Sequence, residues 1–176
     1  MNTRGALSGI QVLDFGQYIA GPLAAMLLGD HGAEVIRIDP PGGPRYKTDA
    51  YATWNRNKRS IVLDLKSPAD RDTALALIDR ADVLIENFRP GVMQRLGLGA
   101  ADMTARNPRL VYCAMPGFAP IDPRSHLRAW EGVLGAATGA YRPGPLDEER
   151  PVFTVVPYAS AYGAAVENEL TPVSVH

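Results

Sequence analysis

Residues 10–38, IQVLDFGQYIAGPLAAMLLGDHGAEVIRI, contain the change of rhythm on which the fold turns. Ile10 to Phe15 is a short apolar run behind the Ser8-Gly9 turn, which predicts a strand. From Ile19 to Gly32 the period becomes helical. Pro22 suits a first turn, Leu23, Met26 and Leu27 fall on one stripe, and Gly32 supplies a stop. Val35 to Ile38 returns to a strand, and Asp39-Pro-Pro-Gly-Gly-Pro44 opens a long loop. This is one strand–helix–strand unit.

The same rhythm continues outward. Ile61 to Leu65 predicts a third strand. Ser67-Pro-Ala-Asp70 places an N-cap, a first-turn proline and an N3 acid before a helix whose apolar face is Ala74, Leu77, Ile78 and Ala81. Val83 to Ile85 is a fourth strand, followed by a short helix from Pro90 to Leu96. Leu110 to Met115 is a fifth, so apolar that a central place in the sheet is expected. Repeated units of this kind predict an α/β fold: a Rossmann-like, open, mostly parallel sheet with helices on both faces. A mixed sheet with an antiparallel edge is the alternative. After Pro116 the pattern loosens. Gly117 to Pro123 reads as a turn-rich loop, Ala129 to Thr138 as a helix and Arg142 to Arg150 as a polar linker. Val152 to Val156 reads as a strand and Tyr158 to Leu170 as a last helix. The expected division is a Rossmann-like domain over 1–125, with a linker and the start of a further region over 126–176.

Composition bounds the function. The chain has 176 residues, 46% of them hydrophobic and 21% charged, with a formal net charge of −1. Charges of both signs are mixed along it, so no global field invites nucleic acid or an anionic membrane. A phosphate-bearing ligand would need local cations. The single cysteine, Cys113, excludes an internal disulfide and a cysteine metal cluster. His31, His126 and His176 lack metal-ligand spacing, so no metal is expected. No apolar run approaches a membrane span and the N-terminus lacks a signal-peptide core, which together predict a cytoplasmic protein.

An open parallel sheet binds ligands at the carboxyl ends of its strands, so Gly16–Pro22, Asp39–Lys58, Glu86–Arg95 and Pro116–Glu131 are the segments of interest. The turn Gly16-Gln-Tyr-Ile-Ala-Gly21 lacks dinucleotide spacing, although Asp39 ends its strand as a ribose-binding acid would. No phosphate loop or nucleophile elbow is present. The basic run Asn55-Arg-Asn-Lys-Arg59 fits either a solvated turn or a local phosphate contact. Beyond the fourth strand, Asn87 offers an amide, Phe88 a stacking face and Arg95 a cation, a set suited to an adenine–ribose–phosphate ligand.

Several of these segments carry a resemblance. Leu7-Ser-Gly-Ile-Gln-Val-Leu-Asp14, Leu27-Leu-Gly-Asp-His-Gly-Ala33, Asn55-Arg-Asn-Lys-Arg-Ser60, Leu63-Asp-Leu-Lys-Ser-Pro68 and Ala81-Asp-Val-Leu-Ile-Glu-Asn-Phe-Arg-Pro-Gly91 resemble class III CoA-transferases, in the family's order. The resemblance is dense over residues 7–118 and thins after about 125. It implies CoA or acyl-CoA bound as substrate, with no permanent cofactor, by Ile19, Ala20, Lys66, Asn87, Phe88 and Arg95. It implies an acyl-CoA:carboxylate CoA-transferase working through an enzyme carboxylate, with small carboxylic acids as partners and a homodimer at full length. The family's aspartate lies shortly before a small-residue turn, here Thr138-Gly139, and counting back places Glu131 there. The racemases of the family imply a second activity, 2-methylacyl-CoA isomerisation. Their His-Asp pair falls where Trp130 and Glu131 stand, and their further aspartate falls near Ala159. A third expectation is a CoA-binding chain without catalysis, because relatives are roughly twice as long and the tail from Glu167 to His176 departs from the family. That suggests a truncated or frame-shifted product.

Overall fold

The computed structural model describes residues 5–44, 49–141, 143–144, 147–152 and 156–170. Its elements are β1 (Gln11–Asp14), α1 (Ala20–Asp30), β2 (Glu34–Asp39), α2 (Asp49–Trp54), β3 (Lys58–Val62), α3 (Pro68–Ile78) and β4 (Val83–Glu86). These are followed by α4 (Val92–Arg95), α5 (Ala100–Arg106), β5 (Val111–Ala114), α6 (Glu131–Ala137), β6 (Pro143–Gly144), β7 (Asp147–Pro151) and α7 (Tyr158–Leu170).

Five strands form one parallel sheet in the order β3-β2-β1-β4-β5. β1 therefore stands where the winding reverses, with β2 on one side and β4 on the other. Crossover connections leave both faces to helices. Along β1, Val12 turns to one face and Leu13 to the other; along β4, Val83 and Ile85 oppose Leu84. Two cores result. Leu13, Phe15, Leu84, Ile78, Met93 and Met103 fill the face under α3 and α5. Val12, Val35, Ile85, Ala24, Leu28 and Ala164 fill the face under α1 and α7. Burial on both sides is why these strands read as unbroken apolar runs.

The parallel sheet is as expected, and four local expectations are corrected. β5 is an edge strand of the sheet, not a central one; its apolar character comes from having both faces covered, since Leu110 and Tyr112 join one core while Val111 and Cys113 join the other. β3 begins at Lys58, three residues earlier than expected, its charged start concealing a strand. The supposed linker from Arg142 holds the antiparallel pair β6–β7, and of the strand expected over 152–156, residues 153–155 lie outside the described residues. Helices α2 and α5 were not foreseen; both are short. At the start of α3 the expected acid at N3 works differently: Asp70 accepts the amide of Asp64 at 2.8 Å, while Ser67 makes no side-chain cap bond.

Candidate functional site

The β1–α1 turn is built around a crossing of two backbones. A Cβ on Gly16 would lie 2.7 Å from the Cα of Gly21, and one on Gly21 equally close to Gly16, so both positions require glycine. Asp14 accepts the Gly16 amide at 2.8 Å. Tyr18 is then forced to φ 67°, the left-handed region that a bulky residue seldom occupies. Its ring is thereby held out from the turn, 46% exposed, and meets Trp130 edge-to-face with centroids 5.7 Å apart.

Asn87, just past β4, clasps this turn. Its Oδ1 accepts the Gln17 amide at 2.6 Å and its Nδ2 donates to the Gln17 carbonyl at 2.8 Å. Two loops from adjacent strands are thus locked together where the sheet reverses its winding, the usual place for a ligand crevice. The amide expected to face a ligand has both its functions engaged by the backbone.

Beside the clasp opens a cleft of about 720 Å³, lined among others by Phe15, Gln17, Asp39, Lys66, Phe88 and Leu96. Of the residues expected to bind CoA, Lys66 and Phe88 line it directly. Asn87 shapes its wall through Gln17. Ile19 and Ala20 start α1 and Arg95 ends α4; none of these three lines the cleft. Lys66 and Arg95 are exposed and form no ion pair among the described residues.

Arg37 and the cations of the basic run are engaged. Lys58 Nζ donates to Asp14 at 2.8 Å, to the Pro22 carbonyl at 2.7 Å and to Asn55 at 3.1 Å. Arg37 donates to Asp14 at 3.1 Å and to Asp39 at 2.9 Å, and its guanidinium lies over the Tyr51 ring. Two acids and two bases, all nearly buried, so neutralise one another. Burial holds the Lys58 ammonium below its usual range, with Asp14 opposing that shift. Farther out, Arg56 and Asn57 hold Asp30, and Arg59 meets Glu34 at 3.3 Å. Residues 55–57 form a turn with Arg56 and Asn57 exposed, in keeping with the solvated-turn alternative, and each of the run's three cations has a carboxylate beside it. Asp39, which could have served a ribose, is held by Arg37.

Glu86 ends β4 and is 8% exposed. Burial pushes its carboxyl up, partly offset by the Phe88 amide it accepts at 2.8 Å. Tyr112 is raised as well, by burial first and then by Glu86.

Glu131 opens α6 immediately after Trp130. Its Oε1 accepts the Ala159 amide at 2.7 Å; its Oε2 accepts the Ser160 amide at 3.1 Å and the Ser160 hydroxyl at 2.7 Å. The carboxylate thus caps the first turn of α7, where free amides and the helix dipole favour an anion. The Tyr18–Trp130 contact brings this carboxylate's sequence neighbour to the β1–α1 turn.

The sequence reading missed Asp14, Arg37, Glu86, Tyr18 and Ser160. A signal existed for the first three: a charge inside an otherwise apolar, doubly covered strand needs a partner or a shifted pKa. Ser160 carried none, since its partner lies 29 positions away.

Comparison with known proteins gives a consistent result. A model of CoA-transferase family III matches residues 7–167. The CoA-transferase/lyase DddD of Marinomonas sp. (strain MWYL1) is 43% identical over 165 residues, covering 91% of this chain and 20% of that protein. The acetyl-CoA:oxalate CoA-transferase of Acetobacter aceti is 38% identical over 146 residues, covering 77% of this chain and 38% of its own. Among solved structures, the hypothetical protein Rv3272 of Mycobacterium tuberculosis superposes with a TM-score of 0.88 at 32% identity, over 98% of this chain and 51% of that one. The chain thus spans between 20% and about half of the length of these relatives.

Proposed function

From membership of CoA-transferase family III, to which this chain belongs, we propose that it holds the CoA portion of an acyl-CoA and moves CoA between carboxylic acids. The observation that carries this reading is the cleft at the sheet's reversal point, where the cationic Lys66 and the ring of Phe88 share one wall system. An ammonium answers a phosphate and an aromatic face answers a purine. Arg95, exposed at the end of α4, supplies a further cation to the phosphates, and Ile19, Ala20 and the Asn87 clasp fix the turn against which the ligand lies.

In this reading Glu131 is the nucleophile. Its carboxylate attacks the thioester carbonyl and releases CoA thiolate, leaving a mixed anhydride. The thiolate then attacks the glutamyl carbonyl and expels the first acid, leaving CoA on Glu131. A second carboxylate reverses both steps.

Calorimetry with CoA tests the cleft. We expect saturable binding, weakened about 10- to 100-fold in Lys66→Met, the scale of a charge-assisted contact. Folded protein giving no saturable heat would overturn the proposal. Hydroxylamine trapping after incubation with acyl-CoA tests the nucleophile: the wild type should carry the adduct on Glu131, and Glu131→Gln should carry none.

A second reading, a CoA-binding chain without catalysis, is favoured by the three donors already on Glu131, because a carboxylate so engaged also serves as a helix cap. Binding without any trapped adduct would establish it.

A further inference from the structure

Behind the cleft, on the opposite face of the sheet, lies a cluster of buried charges that the proposed ligand contacts do not use. Phe15 and Ile38 line the cleft. The residues just before them, Asp14 and Arg37, are register partners on neighbouring strands. By strand alternation these two point the other way, to the side of Val12, Val35 and α1. Both side chains are buried and neither lines the cleft. Both nevertheless reach its walls.

Arg37 is the bridge. Its Nη1 donates to Asp14 and to Asn55, each at 3.1 Å, and its Nε donates to Asp39 at 2.9 Å. Asp14 accepts the Gly16 amide and so fixes the turn whose next residue, Gln17, lines the cleft. Asp39 is itself a wall residue and begins the loop to Pro44, all of which lines the cleft. The wall carried by β1 and the wall carried by β2 are therefore joined through one guanidinium. On stability alone the arrangement has no advantage, because burying Asp14, Arg37, Asp39 and Lys58 incurs a desolvation cost that apolar side chains of similar size would avoid. What it supplies is geometry. A planar fork aimed at two carboxylates fixes their separation and angle, which a point charge does not.

We propose that Arg37 is a positioning residue for CoA binding, holding the Gln17 turn and the Asp39–Pro44 loop from behind the sheet at the separation the ligand needs. This rests on the reading of the cleft as the CoA site and adds to it a residue that never touches the ligand. The link works in both directions: loosening Arg37 weakens the ligand, and a ligand pressing on either wall moves the partners of Arg37.

Arg37→Lys tests the link. The charge stays, but a compact ammonium cannot span Asp14, Asn55 and Asp39 as the fork does. CoA titrated calorimetrically into the folded variant should bind about 10-fold more weakly, within the range for residues that act on a site without contact. Val83→Ala is the control. Val83 starts β4, at the end of the sheet away from the cleft, and truncating it opens a cavity that lowers stability. Its Kd for CoA should equal that of the wild type. An arginine with a merely structural role predicts that both variants lose stability and neither changes Kd. An unchanged Kd in Arg37→Lys, or an equal weakening in Val83→Ala, would overturn the inference.

A second measurement needs no variant and stands even if Arg37→Lys folds poorly. The Nε–H of Arg37 gives its own resonance in a 1H–15N spectrum. Adding CoA to the wild type should shift that resonance along a saturation curve with the calorimetric Kd. A resonance that stays in place while CoA binds would sink the proposal and leave the cleft reading intact. No saturable heat with folded wild type would remove that reading, and the inference with it.

Discussion

Residues 5–115 and residues 116–170 solve the problem of burial in opposite ways. In the first stretch almost every large apolar side chain is covered, and even charge is taken inside: Asp14, Arg37 and Asp39 are buried and mutually paired. Among its described residues only Tyr18 and Val62 stand out as exposed large apolar groups. In the second stretch Ile121, Leu127, Trp130, Val152, Val156, Tyr158 and Tyr162 are all exposed, Ile121 at 95%. One stretch closes its own core; the other leans on it, through α7 against α1 and through Trp130 on Tyr18. The lesson is that the candidate residues are divided between a stretch that covers its apolar side chains and one that leaves many of them exposed. The cleft residues Lys66 and Phe88 belong to the first stretch, whereas Glu131, the carboxylate we propose as nucleophile, belongs to the second.

The contrast is most exposed to test at Asp14. Asp14→Ala removes the partner that Lys58 and Arg37 share, leaving the buried Lys58 without a carboxylate and Arg37 with Asp39 alone, so we expect a loss of about 3–5 kcal/mol in urea unfolding. A loss below about 1 kcal/mol would mean that the network is not sealed from water. A smaller effect is expected at the other end. Glu131→Ala takes an anion and three hydrogen bonds from a half-buried helix start and should cost about 1–2 kcal/mol. Hydrogen exchange should localise that loss to α7 while the sheet amides of β1 and β4 stay protected; uniform loss of protection would show that the two stretches unfold together.

The smallest effect concerns Glu86 and has a definite sign. Its carboxyl is raised in the folded chain, so the charged form is less favoured there than in the unfolded chain. Its contribution to stability is fully present below the ordinary glutamate value of about 4.3 and is lost as pH rises through the folded value. Glu86→Gln, which keeps an acceptor for the Phe88 amide, should therefore be the more stable protein at neutral pH, with the advantage vanishing below about pH 4. Equal stability of the two at neutral pH would contradict the burial of this carboxylate.

Much of the architecture was legible from periodicity. The alternation of apolar runs with stripes containing Leu23, Met26 and Leu27, or Ala74 and Ile78, is the direct imprint of strands and helices that cover each other. The errors have a shared cause. Hydropathy reports burial, not neighbours, so β5 looked central when it is an edge strand covered on both faces. A strand that starts with Lys58 and Arg59 looked like a loop because its charges are neutralised by Asp14 and Glu34 from distant segments. Phe88 was found where a crevice should be, because the carboxyl ends of strands are readable once the strands are; Lys66, which lines the same cleft, was reached only through the family resemblance. Asn87 was found too, but its amide serves Gln17 rather than facing the cleft.

The sequence by itself determined that this chain forms a two-faced, mostly parallel α/β sheet, since that follows from the local period of its apolar residues. Only the tertiary structure decided which charges are partners and which oxygens of Glu131 meet which donors. Those pairings span tens of residues, and nothing in a local pattern encodes them: they exist because packing the helices onto the sheet removes water, after which each buried charge must take whatever complementary group the fold has brought within 3 Å or so.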